Sequence, residues 1–203
     1  MTKGDDLRKA LTRALHDGGG ADITASLADE LDFVKDKSSL TSAAVLIAVT
    51  DRPNPGVILV KRPDYMRNHP GQIALPGGKI DPGDIDATDA ALREAHEEVL
   101  LERRLVDIIG PTDHYHSGSG YRIQPIVGVI PPDLPLVSCP EEVEEWFEAP
   151  LEFILDPANQ HLKTTQWGGR QREFYEIPWQ GRRIWGITAG ILVNLSKRLR
   201  WTL

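Results

Sequence analysis

The segment that most constrains this chain runs over residues 87–101, where a helical composition without a breaker carries Arg93-Glu94-Ala95-His96-Glu97-Glu98. Spacing of i, i+3 and i+4 puts the carboxylates of Glu94, Glu97 and Glu98 on one helix face, within a few ångströms of each other, where like charges repel. Leu92, Ala95 and Val99 form an adjoining apolar stripe. Such a helix packs on a sheet and turns its acids toward a cleft. A solvated surface would be the ordinary fate of a Glu-Glu pair. Three acids on one face instead call for a cation, and hard oxygen donors suit Mg²⁺ or Mn²⁺. No closed set of nitrogen and sulfur ligands accompanies them, which argues against zinc.

The surroundings of this helix predict an α+β chain with helices flanking a mixed sheet. Leu7, Leu11, Ala14 and Leu15 recur at helical spacing before the glycine run 18–20, and a second short helix is expected over 25–33. Residues 43–49 and 56–61 read as two strands of a hairpin joined by Asp51-Arg52-Pro53-Asn54-Pro55. A Gly- and Pro-rich loop leads to the acidic helix and contains Pro76-Gly77-Gly78, which allows backbone to approach a phosphate or to turn tightly. Asp81 and Asp84 add acids before the helix. Beyond it, 121–130 is strand-like, 144–147 is a further strand candidate, and 153–155 lies near a short turn or helix. A hairpin is expected around Trp179-Gln180-Gly181. Leu192, Leu195 and Leu199 mark a closing helix with Lys197, Arg198 and Arg200 in its last turn.

Charge and composition narrow the partners. Lys and Arg number 23 against 30 Asp and Glu, a net charge of -7, so no nucleic-acid partner is expected without a local basic patch. Cys139 is the single cysteine and cannot form an intrachain disulfide. No apolar run approaches the roughly 20 residues of a membrane span, and the first residues lack a signal-peptide core, so the expectation is a cytoplasmic protein without membrane association. A homodimer is left open.

The helix and its upstream loop together resemble the Nudix box: Gly78, Asp84, Arg93, Glu94, Ala95, Glu97 and Glu98 occupy its glycine, acidic, Arg-Glu, apolar and Glu-Glu places. Two departures stand out. The stretch from Gly78 to Arg93 is one residue longer than the common box, and Leu100 replaces the glycine that normally follows the acidic pair and helps the helix stop. The helix is therefore expected to run on toward Asp107. Upstream, Leu59-Val60-Lys61-Arg62 and the segment from Met66 through Arg67, Gly71 and Gln72 to Pro76-Gly77-Gly78 are similar to the signature of the coenzyme A pyrophosphatase branch, with Leu75 in place of its usual aromatic. Residues 142–151 and 183–189 are also similar to that branch, and the resemblance spans roughly 42–199.

This resemblance implies a Nudix-type α/β/α sandwich over residues 39–203, preceded by an N-terminal helical extension over 1–38. It also implies hydrolysis of the pyrophosphate of CoA or a CoA thioester to 3′,5′-ADP and a 4′-phosphopantetheine product. Glu94, Glu97 and Glu98 would hold Mg²⁺ or Mn²⁺. Arg93 would pair with a box carboxylate and orient it. Arg62, Arg67 and Gln72 are candidates for binding phosphate, with Gly77 and Gly78 offering close backbone approach. The general base is a box glutamate or an acid from Glu141-Glu142, with Glu142 nominated. His69, His96, His114 and His116 are weaker candidates for assistance. Trp146, Trp167 and Trp185 read as core residues more readily than as adenine-stacking ones. Two alternatives remain: another nucleotide substrate such as ADP-ribose, NADH or a dinucleoside polyphosphate, and a binding module that does not hydrolyse, for which Leu100 is the only hint.

Overall fold

The structure, a computed structural model, describes residues 3–16, 30, 32, 34, 39–66, 69–167 and 169–200. The glycine run 18–20, most of the second expected helix over 25–33, and Arg67 lie outside the described residues, as does the side chain of Trp167.

The chain organises around strand β1 (Thr41–Thr50), which is apolar on both sides. Ala43, Ile47 and Val49 enter one core cluster, whereas Ala44, Leu46 and Ala48 enter another. A strand buried on both faces belongs at the centre of a sheet. β1 pairs in parallel with β7 (Tyr121–Ile130) from Thr41↔Tyr121 to Thr50↔Ile130. It also pairs antiparallel with β2 (Gly56–Lys61), which confirms the hairpin expected from 43–49 and 56–61.

The remaining members of this mixed eight-stranded sheet are β3 (Ile73–Ala74), β4 (Gly77–Lys79), β5 (Asp107–Pro111), β6 (Tyr115–Ser117) and β8 (Glu145–Pro150). The strand expected at 144–147 thus begins one residue later and reaches Pro150.

Helix α2 (Ala87–Val99) covers one face through Ala90, Ala91, Ala95 and Val99. The opposite face is covered by α1 (Lys3–His16), α3 (Leu151–Leu155) and α4 (Ile187–Arg200). In α1, Leu11 is buried in that second layer, and the helix packs on α4 and β5.

A second, antiparallel sheet of β9 (His161–Trp167), β10 (Arg170–Trp179) and β11 (Arg182–Trp185) joins this side. Gln180 and Gly181 both have positive φ, 47° and 76°, as a two-residue hairpin turn of primed type requires, so the expected hairpin forms where Gly181 signalled it. β9 had no counterpart in the sequence reading. No helix among the described residues is long and apolar enough to cross a membrane.

Candidate active site

Helix α2 is framed by its own ends. At its start, Asp86 Oδ1 accepts the Asp89 N–H at 2.8 Å while Asp89 Oδ2 accepts the Ile85 N–H at 3.1 Å, so two donors without helical partners are satisfied reciprocally. At its finish the expectation of a longer helix is corrected. Leu100 turns into the left-handed region, φ 53° and ψ 30°, and donates its N–H to His96 O at 2.9 Å. Leu101 N–H reaches back to Ala95 O at 3.3 Å. The reason is tertiary. Leu101 is 1% exposed and packs with Val99, and burying a leucine, about 1.5–3 kcal/mol, offsets the roughly 1–2 kcal/mol cost of a left-handed leucine.

The small residues on the inner side of α2 bring it close to β4. There Gly77 N–H donates to Glu98 Oε2 at 3.1 Å. Gly78 lets Glu94 come close, since a Cβ there would stand 2.4 Å from Glu94 Oε1 and push that carboxylate away. The turn at 139–143 then docks on the helix end: Cys139 N–H donates to Glu98 O at 2.9 Å and Val137 N–H to Val99 O at 3.1 Å. Val143, 1% exposed, plugs that turn into the core. Docking delivers Glu142, and carboxylate oxygens of Glu94, Glu98 and Glu142 lie within 4.8 Å of one another.

The expected trio of glutamates is thereby divided. Glu97, half exposed, is drawn to Arg93 instead, and with His96 it lines a separate groove of about 480 Å³.

Arg93 bridges the two sides of that division. Its Nε and Nη2 clamp Asp84 at 2.9 and 3.1 Å, Nη2 also donates to Lys79 O at 3.0 Å, and Nη1 reaches both Glu94 and Glu97 at 2.9 Å. All five guanidinium donors are engaged, so none is left for a ligand unless a bond breaks. Asp84, with its side chain 3% exposed, is held below the usual carboxylate range by this guanidinium. The sequence placed Asp84 at the acidic position before the Arg-Glu pair without a partner for it, and missed Asp86 and Asp89 as the cap of α2. The Asp86-x-x-Asp89 spacing was the available signal.

Burial of Glu98, 2% exposed, pushes its pKa up to about 8, with the neighbouring Glu94 and Glu142 charges adding to the rise while the Gly77 N–H and Arg62 oppose it. Burial also raises Glu94, against the pull of Arg93. Three converging carboxylates, one of them buried on a single backbone N–H, make a donor set that fits a hard divalent cation.

Arg62 and Gln72 are joined by Arg62 N–H to Gln72 O at 2.9 Å, and Arg62 Nε is buried without a hydrogen-bond partner among the described residues. His69 and Gln72 border a different cavity, next to β10 and β11. His114 and His116 lie at β6, not on the segments that carry the glutamates. Trp146 is half-buried and donates Nε1–H to Leu136 O at 3.1 Å, in keeping with a core role, whereas Trp185 borders the cavity next to Gln72.

The sequence profile of the NUDIX domain family matches residues 40–168. A protein of Enterobacter sp. (strain 638) described as "Uncharacterized Nudix hydrolase NudL" is 41% identical over 165 residues, covering 81% of this chain and 86% of that one. Its namesake from Yersinia pestis (strain Pestoides F) is 39% identical over 157 residues, covering 77% and 79%. Among solved structures, the Nudix hydrolase RenU of M. smegmatis is 21% identical, covers 55% of this chain and 71% of its own, and superposes with a TM-score of 0.48.

Proposed function

Since the chain belongs to the Nudix hydrolases, we propose that it cleaves the pyrophosphate bond of coenzyme A or a CoA thioester, with Mg²⁺ or Mn²⁺, to 3′,5′-ADP and a 4′-phosphopantetheine product. The observation that carries the hydrolytic reading is the convergence of Glu94, Glu98 and Glu142 beside Gly77 and Gly78. The choice of CoA is supported by the upstream signature, because the bond from Arg62 N–H to Gln72 O joins its two halves and the same segment continues into Gly77.

Glu94, Glu98 and Glu142 would hold the ion, with Glu97 beside them. When bound, the ion supplies positive charge to the pyrophosphate oxygens and acidifies water. The chain does the rest. Gly77 N–H fixes Glu98, and Arg93 fixes Glu94 and Glu97 without touching the substrate. Arg62, with a buried Nε that lacks a partner among the described residues, offers a donor to a phosphate oxygen. A water oxygen attacks one phosphorus, the bridging P–O bond breaks, and Glu142 or a box glutamate takes the water's proton. Leu100 no longer favours a non-hydrolysing module, because the helix stops where a glycine would have stopped it.

A substrate panel tests the assignment. CoA, ADP-ribose, NADH and a dinucleoside polyphosphate are compared by kcat/KM with Mg²⁺ and with Mn²⁺. CoA is expected to lead by at least ~10-fold, the size of about 1.4 kcal/mol of differential transition-state binding. A lead by any other member of the panel overturns the CoA reading and leaves the hydrolase.

A further inference from the structure

A second cavity, of about 430 Å³, lies outside the carboxylate cluster and is walled by Gln72, Ser119, Thr165, Arg172, Phe174 and Trp185. Three observations bear on what it takes.

The first is position. Gln72 is five residues from Gly77, the partner of Glu98, so the two are separated by no more than about 17 Å of extended chain. An uncharged pantetheine arm, close to four peptide units long, spans about 14 Å. The chain bends at Pro76, which brings that separation below the extended limit and toward the length of the arm, so a substrate whose pyrophosphate lies at the glutamates can place such an arm in this cavity.

The second is charge. Arg172 forms an ion pair with Glu30, which is 4% exposed and also accepts the Gly118 N–H at 2.6 Å. The pair cancels, and among the described residues no other acid or permanent cation lines the cavity. A phosphorylated nucleoside would find little here to neutralise it. An uncharged ligand part meets no such penalty.

The third is the chemistry of the walls. Phe174 and Trp185 pack edge to face at 5.7 Å, and Arg183 lies over the Trp185 ring at 4.6 Å, which holds the apolar wall in place. Opposite chemistry is supplied by the Gln72 amide and by the hydroxyls of Ser119 and Thr165. Apolar walls with a few neutral hydrogen-bonding groups suit a chain of amides and methyl-bearing carbons. Arg172, Phe174 and Trp185 also lie beyond residues 40–168, the span shared with the NUDIX domain at large. Side elements outside the shared domain are where substrate selection, as opposed to chemistry, is expected.

We propose that this cavity binds the uncharged, amide-bearing arm of the substrate, the pantetheine half, and so selects CoA over nucleotides that lack it. This rests on the CoA reading above. Phe174, Trp185 and Thr165 become specificity-determining residues.

The test uses the full chain with Mg²⁺ and titrates each product separately by calorimetry: 4′-phosphopantetheine and 3′,5′-ADP. Trp185→Ala opens the wall, and Thr165→Trp, at an exposed position on β9, fills the mouth without touching the core. Both variants are expected to bind 4′-phosphopantetheine at least tenfold more weakly while their affinity for 3′,5′-ADP stays within twofold. If Trp185→Ala lowers the melting temperature, Thr165→Trp decides. Unchanged 4′-phosphopantetheine affinity in the variants, when the wild type turns over CoA, overturns the pocket alone, and so does a loss confined to 3′,5′-ADP. Absence of CoA turnover by the wild type overturns the reading beneath it as well.

Discussion

Gly77 and Gly78 are neighbours in one motif, yet the structure predicts opposite failures for their alanine variants. A Cβ on Gly77 would stand 2.4 Å from Ala44 O and 2.6 Å from Val45 Cα, both backbone atoms of the central strand, and at a φ of 156°. The strand cannot retreat without disturbing its pairing with β7. Overpacking and backbone strain together make about 3 kcal/mol, or roughly 6–12 °C in melting temperature for a chain of this size. A Cβ on Gly78 instead meets Glu94 Oε1 at 2.4 Å, the far end of a side chain, where ordinary contact begins at 3.4 Å. Glu94 must withdraw by about 1 Å, and a displacement of that size in a catalytic constellation costs on the order of 10²-fold in rate. Thermal melts and CoA hydrolysis measured on both variants separate the two. Gly77→Ala should melt low. Gly78→Ala should melt within about 4 °C of wild type and lose about 10²-fold in kcat. A Gly78→Ala enzyme with full activity, or one as unstable as Gly77→Ala, would refute the reasoning.

Arg93→Lys keeps the charge but loses the fork that grips Asp84, Glu94, Glu97 and Lys79 O, so chemical denaturation should show about 1–2 kcal/mol less stability. Equal stability would mean that the clamp is not structural. Glu98 gives a pH signature: burial raises it from 4.5 to about 8, so between those values the folded protein holds a proton that the unfolded chain has released. Without divalent ions, stability should therefore fall as pH rises through that window, and Glu98→Gln should flatten the slope. Melts that rise with pH in EDTA would contradict the burial argument. Leu100→Gly trades relief of roughly 1–2 kcal/mol of left-handed strain against about 0.5–1 kcal/mol of added chain entropy, giving a melt unchanged or up to about 6 °C higher. Leu100→Val, β-branched at a positive φ, should melt lower than wild type; a higher melt would show that the left-handed cap is not strained.

What was legible in the sequence was local. The 3.6-residue period of 87–99 gave a helix with an acidic face, and the apolar runs at 43–49 and 56–61 gave the central hairpin. Gly181 signalled its turn because two consecutive positive φ values need residues that tolerate them. What escaped depends on contacts distant in sequence. Leu100 as a helix stop could not be read from residue preference, since it follows from the burial of Leu101. Helical spacing placed Glu94, Glu97 and Glu98 together, but Glu97 pairs with Arg93 outside the cluster, while the docked turn brings in Glu142 from 44 residues beyond Glu98. β9, with its mixed polar sequence His-Leu-Lys-Thr-Thr-Gln-Trp, carries no alternating pattern to read and is ordered by its pairing with β10.

The central claim is that the buried Glu98 and its neighbours hold a divalent ion for pyrophosphate hydrolysis, and one measurement addresses it: the rate of 3′,5′-ADP release from CoA as Mg²⁺ is titrated, wild type beside Glu98→Gln. The account predicts no release in EDTA, saturable activation by Mg²⁺ in the wild type, and a loss of at least ~10²-fold in Glu98→Gln that added Mg²⁺ does not restore. Release independent of Mg²⁺, or a Glu98→Gln enzyme as fast as wild type, would contradict it.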